Sequence, residues 1–80
     1  MSRAFGSKDL EKGIVRLGFK YIRASSSHWV YNPPKGKNNP QNRPFVFKVG
    51  VKSYDPHSRA RYISELKSYG FIKSQIEQAF

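Results

Sequence analysis

Between Pro44 and Tyr54 the chain alternates residue by residue: Phe45, Phe47, Val49 and Val51 interleave with Val46, Lys48, Gly50 and Lys52. Side chains of a β-strand point to opposite faces with a period of two, so this run predicts a strand over 45–53. One of its faces is apolar and the other is wet and cationic. A strand of that kind suits an antiparallel sheet covered on one side only.

Two further strands precede it. Phe19 to Ala24 alternates Phe19, Tyr21 and Arg23 against Lys20 and Ile22, and His28 to Asn32 (HWVYN) is rich in aromatic and β-branched residues. Ser25, Ser26 and Ser27 form the turn between them. Pro33 and Pro34 end the second strand. The segment Pro33–Pro44 (PPKGKNNPQNRP) is dense in turn formers and carries Lys35, Lys37 and Arg43, so it reads as a flexible basic hairpin loop.

The helices that cover the sheet are also legible. Leu10, Ile14 and Leu17 recur at helical spacing within Ser7–Leu17. Ser7 is the expected cap, Asp9 and Glu11 lie in the first turn, and Gly18 is the expected C-terminal stop. Asp55 and Pro56 open a second helix whose apolar face is Tyr62, Ile63, Leu66 and Tyr69, and Gly70 ends it. Ile72, Ile76 and Phe80, four apart, mark a short last helix. Three strands joined by hairpins, with helices at either end, predict an α+β domain. Its three-stranded antiparallel sheet carries the helices on one face, in the α-β-β-β-α order of the double-stranded-RNA-binding fold. Residues 1–80 read as one domain, with 1–6 as a flexible N-terminus.

Charge bears on the partner. Fifteen Lys and Arg against five Asp and Glu give a net charge of +10. Such a surface draws phosphate backbones and speeds association with polyanions. No helix pairs a Lys/Arg stripe with a broad apolar face, which argues against a membrane-surface role. No run of signal-peptide or transmembrane character is visible, and the expected location is cytoplasmic. The chain has no cysteine, which excludes thiol nucleophiles and thiolate metal sites.

Chemistry-bearing residues are few. There are two histidines, His28 and His57, and no Gly-rich phosphate loop, paired-carboxylate motif or cluster of metal ligands. The reading therefore includes no cofactor and no metal. RNA still permits hydrolysis, because its own 2′-OH can act as nucleophile while an imidazole moves the proton. His28, at the mouth of a strand after a run of serines, is the better placed candidate. His57 lies in the first turn of a helix, where orienting phosphate or facing solvent is its expected role. Lys48, Lys52, Arg59 and Arg61 are the expected phosphate-holding set, with Lys20 and Arg23 extending the surface. Trp29 and Tyr31 share a face opposite His28 and Val30. If that pair is core, His28 points to the open face beside Lys48 and Lys52. A second proton-transfer group is left to a lysine, to a tyrosine such as Tyr31, or to water.

The stretches SKDLEKGIVRLGFKYIRASSSHWVYN and DPHSRARYISELKSYGF resemble the HicA toxins, which are small messenger-RNA interferases. Gly18-Phe19, Ser27-His28 and Pro56-His57 stand at matching places, and ISELKSYGF matches the family's last core helix. The family has Gly before its Ser-His pair, where this chain has Ser26, so the resemblance is to a divergent member. It implies a double-stranded-RNA-binding-like fold, metal-independent cleavage of messenger RNA with His28 as general acid or base, and RNA contacts at Ser27. It also implies a HicB-like antitoxin that covers the histidine. Lys35, Lys37 and Arg43 of the basic loop are further expected RNA-binding residues, and two other functions fit the same set: a non-catalytic basic RNA-binding module, and an interaction protein such as a phage-encoded inhibitor.

Overall fold

A computed structural model describes residues 4–38 and 43–80. The elements run α1 (Ser7–Arg16), β1 (Lys20–Ser25), β2 (His28–Asn32), β3 (Phe45–Lys48), α2 (Pro56–Ser68) and α3 (Lys73–Ala79). The three strands form one antiparallel sheet in the order β1-β2-β3. This is the expected α+β architecture. Among the described residues, no helix is long and apolar enough to cross a membrane.

The core lies between the helices and one face of the sheet. Leu10 and Ile14 of α1, Tyr62 and Leu66 of α2 and Ile76 of α3 pack on Phe45, Phe47 and Tyr31. Aromatic rings dominate, and Phe19, Phe45 and Tyr69 meet at centroid distances of 5.3–6.3 Å. Trp29 is half-buried against the same cluster. The Trp29–Tyr31 pair is therefore on the core side.

Five local expectations change. The third strand stops at Lys48 rather than Ser53. One further bond runs from the Val49 N–H to the Ser27 carbonyl at 2.8 Å, and then Gly50, at φ +75°, turns the chain out of the sheet. Val51 is tied to the start of α1 instead: its carbonyl accepts from the Ser7 N–H (2.8 Å) and from Ser7 Oγ (3.1 Å), and its N–H donates to Ser7 Oγ (3.1 Å).

Ser7 is consequently not the cap of α1. Gly6 holds that position, and its N–H donates to Asp9 Oδ2 at 3.1 Å. Residues 4–6, expected to be a flexible terminus, are fixed from Phe5 onward. Phe5 is only 6% exposed and packs on Tyr54 and Phe80, and its carbonyl accepts from the Tyr54 N–H. Residues 1–3 lie outside the described residues.

The alternation expected along β1 breaks at Ile22. Tyr21 pairs with Tyr31 and Arg23 with Val30, so two residues of β1 advance against one of β2. The bulge puts Tyr21 and Arg23 on opposite faces, where strict alternation would have kept them together. The 33–44 loop is less free than its composition suggests. Lys37 Nζ donates to the Gly70 carbonyl at 3.1 Å and sits 5.1 Å from the Phe71 ring centroid, while Pro33 and Pro34 are half-buried. The stretch 39–42 of that loop lies outside the described residues.

Candidate nucleic-acid interface and proton-transfer site

The sheet face away from the helices is ordered by strand register. Ser25, His28 and Lys48 form one cross-strand row, and Arg23, Val30 and Val46 form the next. Directly opposed side chains on one face of a sheet lie about 5 Å apart at Cβ. His28 and Lys48 are both exposed, while Val30 is buried between its neighbours at 4% exposure. The face thus has an apolar centre flanked by an imidazole and cations.

His28 is presented by a tight turn. Ser25 pairs with His28, leaving Ser26 and Ser27 as a two-residue loop, and Ser26 has φ +55°. A single left-handed residue at the first loop position is the sign pattern of a II′ hairpin, a place that favours glycine. A serine there holds about 1 kcal/mol or more of backbone strain. That strain sits two residues from the histidine.

Lys48 is anchored through its backbone. Its N–H donates to Tyr62 Oη at 3.2 Å, and its carbonyl accepts from Tyr54 Oη. Two buried tyrosines, Tyr62 of α2 and Tyr54 of the segment before it, therefore pin this point of the β3 edge and leave the ammonium on the open face. Burial pushes the Tyr54 hydroxyl well above the ordinary tyrosine range, so it remains a donor at any physiological pH.

Beside this row, α2 and the segment before β3 complete a cleft of about 490 Å³ lined by His28, Arg43, Val46, Arg61, Tyr62 and Glu65. Arg61 and Glu65 are a helical turn apart, each one residue before the core positions Tyr62 and Leu66, so they flank the buried stripe. The Arg61 guanidinium lies 5.4 Å from the Tyr62 ring centroid. The Arg43 backbone is held to α2 because Tyr69 Oη donates to its carbonyl at 2.9 Å. Glu65 is half-buried, and burial raises its carboxyl above the usual glutamate range, against the opposing pull of Arg43 and Arg61.

The predicted cations do not all meet here. Arg43, Arg61 and Lys48 join His28 in the cleft or in its cross-strand row. Lys52 does not, because the chain leaves the sheet at Gly50; it lines a separate recess with Ser7 and Lys8. Arg59 is turned inward, donating through Nη1 to the Tyr54 carbonyl at 2.7 Å, and it borders another cleft with Phe5 and Lys67. Lys37 is bound to the end of α2. Lys35 lines a neighbouring recess that shares Arg43 with the His28 cleft. Ser27 is exposed in the turn, with its carbonyl engaged by Val49. His57 is exposed near Asp55, away from the cleft.

Tyr31 is withdrawn from proton transfer. It lies on the core side, burial raises its pKa, and its hydroxyl donates to Glu11 at 2.7 Å. Glu65 is the residue that reading along the chain passed over; in ISELK it has the pattern of an ordinary polar helix position. Among the described residues, no three His, Asp or Glu side chains come together as metal ligands. No protein-family model matches the chain, and no curated protein or solved structure matches it either.

Proposed function

We propose that this protein is a cytoplasmic, metal-independent endoribonuclease that binds messenger RNA across the open sheet face and cuts it with His28 as a proton-transfer group. The observation that carries the reading is the cross-strand pairing of His28 with Lys48 on a solvent-facing sheet surface, beside Arg43 and Arg61. An imidazole there can exchange a proton with the 2′-OH or the leaving oxygen, and the cations stabilise charge developing on the phosphorus oxygens. The +10 charge of the chain supplies long-range attraction to the RNA backbone. The likeness to HicA toxins in the Ser27-His28 step supports a toxin role, with a HicB-like antitoxin silencing the enzyme by covering His28.

The test is cleavage of a labelled RNA in EDTA by wild type and by His28→Ala, with folding matched by thermal unfolding. Cutting by wild type, reduced about 100- to 10,000-fold in the variant, is the expected result. RNA left intact by both proteins but bound by both in a salt-sensitive manner refutes the enzyme and leaves a basic RNA-binding module. Antitoxin capture is checked separately, by co-purification of a partner whose binding is weakened by substitution at His28.

A further inference from the structure

Strand scission by the 2′-OH moves two protons. One leaves the attacking hydroxyl and the other arrives on the departing 5′ oxygen, so a single imidazole handles both only by acting twice. Tyr31 is buried on the wrong face. Lys48 is already suited to the phosphate as a fixed positive charge. Among the described residues, one acid lines the His28 cleft, and it is Glu65.

Its position is unusual for this chain. Only five acids are set against fifteen cations, and a carboxylate in a phosphate-binding cleft repels the RNA backbone. A surface built only to hold phosphate has no use for it. Glu65 is nevertheless half-buried there, within α2, between Arg61 on its own helix and Arg43 from the segment before β3. The other titratable groups around it are Tyr62 of α2, Tyr69 at the C-terminal cap of α2 and His28 of β2.

We infer that Glu65 is the second catalytic group of this site: its carboxylate takes the proton of the 2′-OH while the His28 imidazolium delivers a proton to the 5′ oxygen. This inference rests on the ribonuclease reading of the cleft. The bond between the 2′ oxygen and phosphorus forms as the bond from phosphorus to the 5′ oxygen breaks. The products are a 2′,3′-cyclic phosphate and a free 5′-hydroxyl. Glu65 ends protonated and His28 neutral, and exchange with water restores both. The assignment of roles follows from charge, since a glutamate is ordinarily ionised near neutral pH and can accept a proton, while an imidazolium can donate one. Burial raises the affinity of the Glu65 carboxylate for a proton, which makes it a stronger base, and Arg43 and Arg61 pull in the opposite direction, toward the ionised form.

The experiment is single-turnover cleavage of a short single-stranded RNA by wild type, Glu65→Gln, Glu65→Asp and His28→Ala, across pH, with RNA affinity measured in parallel. Glu65→Gln is expected to lose about 100- to 10,000-fold in rate with RNA binding unchanged or tighter. The acid limb of the pH–rate profile disappears with it, and Glu65→Asp recovers part of the rate. A substrate with sulfur in place of the 5′ bridging oxygen separates the roles, because a thiolate leaves without protonation. That substrate restores His28→Ala and not Glu65→Gln. Glu65→Gln cutting within a few-fold of wild type, with the acid limb intact, overturns the inference while leaving the ribonuclease standing. Rescue of Glu65→Gln by the sulfur substrate overturns the assignment of roles. Wild type that cuts no RNA removes both readings together. If Glu65→Gln fails to fold, the acid limb and sulfur effect in Glu65→Asp decide the matter.

Discussion

His28 and Lys48 stand directly opposite each other on adjoining antiparallel strands, and the backbone of Lys48 is held by Tyr62 on one side and Tyr54 on the other. Tyr62 of α2 and Tyr54 of the segment before it thus fix, through two hydroxyl groups, the position of a cation on the far face of the sheet. A lysine placed this way serves a phosphate without losing further backbone freedom on binding.

Lys48→Ala is expected to weaken binding of any single-stranded RNA to a similar degree and to lower the log–log salt slope by about 0.7, the value for one phosphate contact removed. Lys37→Ala provides the contrast. Its ammonium is bound to the Gly70 carbonyl, so the slope stays the same and stability falls instead. Fluorescence anisotropy between low and physiological salt, alongside thermal unfolding, reads both.

Ser26→Gly is expected to stabilise the protein by about 1 kcal/mol, since glycine takes the left-handed conformation without the steric penalty a serine meets. For a domain of this size that is a rise in Tm of about 4–8 °C. A fall in Tm would show that the Ser26 side chain contributes more than the strain it carries. If the strain serves to aim His28, the stabilised variant cuts RNA more slowly.

Gly6→Ala addresses the junction between α1 and the segment after β3. A Cβ at position 6 falls 2.1 Å from the Lys52 carbonyl oxygen and 2.6 Å from that of Val51. Backbone atoms cannot swing aside as a side chain can, so the three hydrogen bonds between Ser7 and Val51 must break or shift. The cost is expected to be about 2–4 kcal/mol, a large part of the stability of so small a domain. Gly36→Ala meets no atom of the described residues within 4 Å. Its cost is confined to the left-handed backbone it must adopt, about 1–2 kcal/mol. Urea unfolding of the two variants ranks them.

Glu65→Gln also makes a prediction about stability. The folded-state pKa of Glu65 is raised, chiefly by burial. Stability from such a group is present while it is protonated, below its unfolded pKa of about 4.3, and is lost as pH rises through the folded value. The glutamine variant escapes that loss. It is expected to match wild type at pH 3.5 and to melt higher at pH 7, and Tm measured across that interval checks the sign. A gain in stability together with a loss of cleavage is the pattern expected of a group held in place for chemistry.

The sequence by itself determined the elements and the layer that buries them. The alternation from Phe45, the helical spacing of Leu10 with Ile14 and of Tyr62 with Leu66, and the glycines after the first two helices are local patterns. They record which face of a strand or helix meets the core. The separation of Trp29 and Tyr31 from His28 followed from the same period of two. Only the tertiary structure decided which charged groups share a site. Gly50 takes Lys52 off the sheet, and the bulge at Ile22 moves Arg23 onto the face of His28. Tyr69 holds Arg43 to α2, and the packing of α2 along β3 brings Arg61 and Glu65 beside a histidine more than thirty residues earlier in the chain. Periodicity reports the face a residue occupies within its own element. A proton-transfer site depends on how the faces of different elements meet, and that is set by packing between residues far apart in sequence.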